Sequence, residues 1–281
     1  MTVLIAGCGD LGTEVGLRLH ELGHHVVGIR RRAELLPAGI DGQSVDLAVE
    51  KPVVPPDTDL VIVTVAAGNP DPDVYRAAYV TGLGNLLDAL DEAGVTPRRF
   101  LLVSSTAVYD IDDGSTVDES TPANPGGGTD SILLEAEQLL HRRLPAAVVL
   151  RLGGVYGPGR ERLIRQVRSG RATLADRSRL TNRIHRDDAA ALIVHLMLRA
   201  EEPDPLYLGV DSTPVPGVEV LAFLAAELGL PEPEIVETGS RRGGNKRISN
   251  RRVLATGFAF SYPSYREGYR AVLAGGATRH P

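Results

Sequence analysis

The chain has one cysteine, no tryptophan, eight tyrosines and four phenylalanines in 281 residues. A lone thiol, Cys8, excludes an intramolecular disulfide and any site built on several cysteines. With aromatics at 4% and no interleaving of aromatic and basic residues, the stacking platform of a nucleic-acid binder is missing. A formal net charge of −6 argues the same way, because such binders carry a basic surplus that neutralises phosphates. Long apolar spans and the pattern of a signal peptide are absent, and no His, Cys, Asp or Glu cluster has metal-ligand spacing. The expectation is a cytoplasmic protein with no metal, membrane or nucleic-acid partner. Lysine is scarcest of the charged residues: Lys51 and Lys246 are the only two.

What is present is a 43% hydrophobic chain long enough for one large α/β domain and a smaller lobe. Val3-Leu4-Ile5-Ala6 reads as a strand, followed at once by Gly7, Gly9 and Gly12. Leu11, Val15, Leu19 and Leu22 then recur on one helical face, with Gly23 as the stop. A second strand over 25–29 ends in Arg30-Arg31-Arg32. Further strands are predicted over 60–65, 100–103 and 146–150, with helices near 74–93 and 130–143. Strands alternating with helices imply right-handed crossovers and a parallel sheet, a doubly wound α/β Rossmann domain over residues 1–153. Beyond about residue 154 turns such as Tyr156-Gly157-Pro158-Gly159 break the rhythm. Residues 154–281 are expected to form mainly a smaller C-terminal substrate lobe, with some segments returning to the first domain. Helices are predicted near 186–200 and 217–228, and a polar connection over 241–252.

In a G-x-G-x-x-G turn the first glycine makes the bend, the second admits the pyrophosphate, and the third lets helix and strand pack closely. Gly7, Gly9, Asp10, Leu11 and Gly12 are therefore the expected phosphate-binding residues, with the helix N-terminus aimed at the anion. NAD-selective sites end the second strand in Asp or Glu; Arg30 stands there instead. Guanidinium groups bind a 2′-phosphate through paired donors, so Arg30 and Arg31 favour NADP, with NAD and an exposed basic turn as the alternatives. Asp46 and Leu47 either border the adenine or end a solvated strand.

The phosphate loop, Val103-Ser104-Ser105-Thr106-Ala107-Val108-Tyr109 and Arg151-Leu152-Gly153-Gly154-Val155-Tyr156-Gly157-Pro158-Gly159 together resemble the short-chain dehydrogenase/reductase superfamily. The likeness is to its extended branch of nucleotide-sugar epimerases and dehydratases. Ile184-His185-Arg186-Asp187-Asp188, Leu206-Tyr207-Leu208-Gly209 and residues 262–268 match later landmarks of that branch, so nearly the whole chain is covered. The resemblance implies a tyrosine that moves the substrate proton, a lysine four residues later that lowers its pKa, and a serine on the reacting oxygen. Setting Glu137 on the glutamate that usually follows that lysine puts Thr129 at the tyrosine position and Leu133 at the lysine position. No Tyr-x-x-x-Lys exists anywhere, since Leu47 and Arg242 precede the two lysines by four. A tyrosine titrating near pH ~10 needs such an ammonium to act as a base at neutrality. Ser105 keeps the serine position, and Tyr79 replaces an asparagine.

Candidates to replace the lost chemistry are Tyr109, Tyr156 and His185, the last of which also suits a helix start together with Asp187 or Asp188. The basic run Arg241, Arg242, Lys246, Arg247, Arg251 and Arg252 suits either an acidic ligand or a solvated loop. Two functional readings follow. One is an NADP-binding, epimerase/dehydratase-like oxidoreductase acting on a polar or nucleotide-linked small molecule, with Ser105 retained. The other is a non-catalytic NADP-binding sensor or scaffold. A homodimer is implied by the same resemblance.

Overall fold

The first strand, β1 (Thr2–Ala6), is buried at all five positions, as a strand covered on both faces must be. The computed structural model describes residues 1–239, 243–275 and 278–281 and places β1 within a seven-stranded parallel sheet. Its other strands are β2 (His25–Arg30), β3 (Asp41–Ser44), β4 (Thr58–Val63), β5 (Arg99–Ser105), β6 (Val148–Leu152) and β7 (Leu206–Gly209). The spatial order is β3-β2-β1-β4-β5-β6-β7. Ala6 at the end of β1 pairs with Ile29 on one side and Val63 on the other. The strand order reverses at β1, and such switch points leave a crevice at the carboxyl ends of the strands.

Side chains alternate across the sheet, and two helical layers bury them. Val3 and Ile5 face α1 (Asp10–Glu21) and α4 (Arg186–Leu198) through Val15, Leu19, Leu192 and Leu196. Leu4 and Ala6 face α2 (Gly82–Glu92) and α3 (Gly128–Arg143) through Leu86, Leu90, Ala136 and Leu140. Each such leucine contributes about 1.5–3 kcal/mol on burial. Helix α4 is apolar nearly all round because Val253 and Phe258 belong to the same buried cluster.

Two local expectations fail for identifiable reasons. Leu22 caps α1 rather than extending its buried stripe, and is 53% exposed. The single helix expected over 74–93 is three pieces: Pro72–Arg76, a π-helical turn Ala77–Thr81, and α2. Such turns carry an extra residue per bond and recur beside functional sites.

A separate apolar cluster lies among residues beyond 154, joining Ile164, Val167, Leu174, Leu221, Leu224 and Tyr269. It is built from the helix Arg162–Arg168, α5 (Gly217–Leu228) and α6 (Tyr265–Leu273). The described part of the expected polar connection, residues 243–252, carries regular structure: Arg247–Ile248 pairs in parallel with Thr116–Val117, and the helix Arg251–Ala255 follows.

One charged group bridges the layers. Glu137 on α3 is 4% exposed and accepts from Arg151 Nε (3.0 Å) on β6 and from Ser104 Oγ (2.5 Å) on β5. Arg151 NH1 also donates to the Tyr109 hydroxyl at 2.6 Å. Breaking a buried pair strands the remaining charge. Arg151→Met is therefore expected to cost about 3–5 kcal/mol, read as a lower midpoint in urea unfolding; an unchanged midpoint contradicts the bridging role.

Candidate functional site

The carboxyl ends of β1, β2, β4 and β5 open onto a groove of about 530 Å3. Gly7 has φ of +77°, and a Cβ there would lie 2.5 Å from the Val65 Cα, so only glycine fits. At Gly12 a Cβ would lie 2.6 Å from Thr64 Oγ1, which itself donates to the Gly7 carbonyl at 3.0 Å. Helix and turn are thus drawn together. Around Gly9, by contrast, a Cβ would meet nothing nearer than the Gly7 oxygen at 3.9 Å. No side chain caps the N-terminus of α1 behind it. Uncapped first-turn N–H groups facing open space are what an incoming diphosphate requires, so the loop fits a dinucleotide.

Gly7, Gly9, Asp10 and Leu11 line the middle of the groove, Arg30, Arg31, Asp46 and Leu47 one end, and Ser105 the other. Gly12 sits behind this wall rather than in it. Arg30 NH1 donates to the Pro281 carbonyl oxygen at 2.8 Å. Asn85 Nδ2 holds the Leu47 carbonyl at 2.7 Å. The Asp10 carboxylate accepts from Arg186 NH1 (2.9 Å) and Arg160 Nε (3.0 Å), which offsets its charge beside the anion site. Tyr79, on the π turn, also lines the groove, and burial pushes its phenol up to about 12.

A second cavity, also about 530 Å3, shares Ser105, Gly153, Val155 and Arg160 with the groove. Its wall carries Arg160, Arg162, Arg179, Arg183 and Lys246, and none of its described lining residues is Asp or Glu. Arg183 is 6% exposed; its NH2 donates to Thr181 Oγ1 at 2.5 Å while its buried NH1 has no partner among the described residues. A buried donor without an acceptor costs about 1–3 kcal/mol, and here it flanks a cavity able to hold one. Nearby, burial pushes the Asp211 carboxyl up to about 7 against the pull of Arg183, so this acid only partly offsets the guanidinium charge.

The structure separates the candidates for proton chemistry. Ser105 lies where the two cavities meet, and its Oγ accepts from the Ala107 N–H at 3.2 Å. Thr129, in the first turn of α3, lines neither; its hydroxyl donates to Asp130 Oδ1 at 3.3 Å. Leu133 is buried against Val108, Tyr109 and Ile248. Tyr109 is 1% exposed with its hydroxyl on Arg151, and burial raises its pKa. Tyr156 borders the second cavity, yet its hydroxyl is buried against Gly268 with no hydrogen-bond partner among the described residues, and burial drives it far above its ordinary value.

His185 caps α4, its Nδ1 accepting from the Asp187 N–H at 3.2 Å. The described residues of the basic run do not form one patch. Arg241 and Arg242 lie outside the described residues, Lys246 is in the second cavity's wall, and Arg252 donates to the Leu206 carbonyl at 3.3 Å. Sequence reasoning missed Arg160, Arg179 and Arg183 as site residues. The one available signal was an arginine immediately before Ile184-His185, where a buried strand was beginning.

Residues 3–209 match the model of the NAD dependent epimerase/dehydratase family. The chain belongs to this family. Among solved structures it is similar to a Methylobacillus flagellatus protein described as an NAD-dependent epimerase/dehydratase candidate, 37% identical, TM-score 0.79, covering 98% of each chain. MoeE5 in complex with UDP-glucose and NAD shares the fold at 23% identity, TM-score 0.83 and 98% of each chain. Protein YeeZ of Escherichia coli K12 is 29% identical over 93% of this chain and 96% of its own. Among the described residues there is no group of three or more His, Cys, Asp or Glu able to hold a metal, and no helix is long and apolar enough to cross a membrane.

Burial pushes the His185 imidazole down to about 4, with Asp187 opposing. It is therefore neutral at pH 7 with its proton on Nε2, because Nδ1 accepts. Nitrogen-detected NMR is expected to show that tautomer unchanged from pH 8 to pH 5.5; protonation near pH 6.5 would contradict the capping role.

Proposed function

We propose that the chain is an NADP-dependent oxidoreductase acting on an acidic small molecule, nucleotide-linked or carboxylate-bearing. The observation that carries this reading is the meeting of a glycine-turn groove with a cation-walled cavity at Ser105. A bound nicotinamide dinucleotide would supply or accept hydride, and the protein's part is to hold it and the substrate at that junction. Gly7, Gly9 and the α1 N-terminus would hold the diphosphate. Arg30 and Arg31, in place of an acidic residue at the end of β2, favour a 2′-phosphate on the ribose. Arg183, with its free NH1, would hold an anionic group of the substrate. Ser105 would hydrogen-bond the reacting oxygen. That MoeE5 takes UDP-glucose and NAD together supports a paired-ligand arrangement in this fold.

A second reading, a non-catalytic NADP-binding sensor or scaffold, is favoured by Thr129 and Leu133, which replace the expected pair and line neither cavity.

Calorimetric titration is expected to show NADPH binding at least tenfold more tightly than NADH. Loss of the charged contacts in Arg30→Ala/Arg31→Ala costs about 1.5–3 kcal/mol, about 10- to 100-fold in NADPH affinity, and leaves NADH nearly unchanged. Gly9 has φ of −90°, which alanine also adopts. Gly9→Ala is therefore expected to keep the melting temperature while lowering affinity for both cofactors at least tenfold. Equal affinities for the two cofactors would remove the NADP assignment. A screen of acidic carbonyl compounds with NADPH then separates the readings: substrate-dependent NADPH oxidation rejects the sensor, and binding without turnover rejects the oxidoreductase.

A further inference from the structure

The dyad positions are occupied by Thr129 and Leu133, neither of which is an acid or base at neutral pH, and they lie off both cavities. The second cavity therefore needs another source if chemistry occurs there. Its described walls hold four arginines, which stay protonated in proteins, and two tyrosines, Tyr156 and Tyr269, both raised by burial. The remaining titratable group is Lys246.

We propose that Lys246 is the proton-exchanging group of this site, delivering a proton to the substrate oxygen in reduction and removing it in oxidation. The proposal rests on reading the second cavity as the substrate site. Lys246 lines that cavity, is 2% exposed, and donates from Nζ to the Tyr109 and Gly243 carbonyls, each at 2.6 Å. Two donors are thus committed to backbone, and the third tetrahedral position of Nζ carries either a proton or a lone pair. Both protonation states keep the same two hydrogen bonds, so the proton moves without rearrangement of the protein.

Position is fixed as firmly as protonation. Tyr109 follows Ser105 by a single 3-10 turn, Thr106–Val108, so the carbonyl that anchors Nζ belongs to the segment that carries the serine. The lysine's own backbone is locked on both sides. Its carbonyl accepts from Asn182 Nδ2 at 2.9 Å, Asn245 accepts from the Leu180 and Gly114 N–H groups, and Arg247 enters the paired strand. A solvated loop has no need of this bracing.

The surroundings set when the proton leaves. Burial is the largest effect and brings the ammonium down to about 8; Arg179 adds to it, while Asp110, Asp130 and Asp112 oppose it. Arg179 and the three aspartates are the charged groups that act on it among the described residues. In reduction the proton passes from Nζ to the substrate oxygen as the C=O π pair moves onto that oxygen and the carbonyl carbon gains hydride. A bound nicotinamide dinucleotide would supply that hydride and be left in its oxidised form; the carbonyl becomes the alcohol, and the neutral amine regains a proton from solvent. The sign follows: the reducing rate falls as pH rises through about 8, and the oxidising rate rises.

With only two lysines, protein labelled with 13C at lysine Cε gives two signals, assigned with Lys51→Arg. Lys51 is exposed, and its hydrogen bond to Glu92 holds it above its ordinary value. In the whole protein loaded with NADP+, the Lys246 signal is expected to titrate near pH 8 and to shift upward by about one unit when pyrophosphate, used as the anionic probe, enters the cavity. The Lys51 signal is expected to stay put. Titration above pH 10, or no response to pyrophosphate, overturns the proposal and leaves Lys246 a strut. Lys246→Met keeps NADPH affinity; its loss would instead indict the cofactor reading or the fold, which the melting temperature separates. With an acidic carbonyl substrate from the screen, Lys246→Met is expected to lower kcat about 100-fold or more, with KM within about threefold, and to remove the pH break. A change confined to KM overturns the proposal.

Discussion

The buried Glu137 carboxylate is the constraint on which the arrangement of the site depends. It draws Arg151 of β6 and Ser104 of β5 onto α3, and through Arg151 it holds the Tyr109 hydroxyl. A charge at 4% exposure persists only with such partners, so the three elements cannot slide independently. Ser105 and the Tyr109 carbonyl are neighbours of this network along the chain. Their positions, and with them the junction of the two cavities and the anchor of Lys246, follow from it. Glu137 thus serves as a brace behind the site and not as a group within it.

The two cavities divide the work by charge. The groove offers backbone: an uncapped helix N-terminus and a glycine turn would present N–H dipoles to a diphosphate without the desolvation cost of a cation there. Of its two acids, Asp10 and Asp46, the one beside the glycine turn, Asp10, is tied to Arg160 and Arg186. The second cavity relies on side chains: among the described residues its wall holds five cations, and one buried guanidinium nitrogen, on Arg183, has no acceptor. Arg160 borders both. On the proposed reading, an anion in the second cavity would satisfy Arg183 and would also raise the affinity of Lys246 for its proton, coupling substrate binding to the state needed for reduction.

Much of the fold was legible because local and global signals agree in the first half of the chain. Residues 3–6 and 25–29 are strands by composition, the glycines mark the turn, and alternation of strands with helices fixes a parallel sheet. The groove was legible for the same reason: Gly7, Gly9, Asp10, Leu11, Arg30, Arg31, Asp46 and Leu47 lie near strand ends that meet at the switch point. Leu22 misled because a three-to-four repeat cannot say where the last turn ends. The π turn at 77–81 has no periodic signature. The second cavity was hidden because its cations come from distant turns and short strands, and their convergence is a property of the tertiary fold alone. Lys246 looked like one residue of a polar run; its burial depends on Tyr109, 137 positions away in sequence.

On the proposed reading, a nicotinamide dinucleotide fills the groove with its reactive end at Ser105, facing the cation-walled cavity. A crystal structure of the protein with NADPH tests this directly. The expected result places the diphosphate on Gly9, the 2′-phosphate against Arg30 and Arg31, and the nicotinamide at Ser105 with the second cavity open beside it. A nicotinamide held away from Ser105, or a groove that stays empty at saturating NADPH, would contradict the claim.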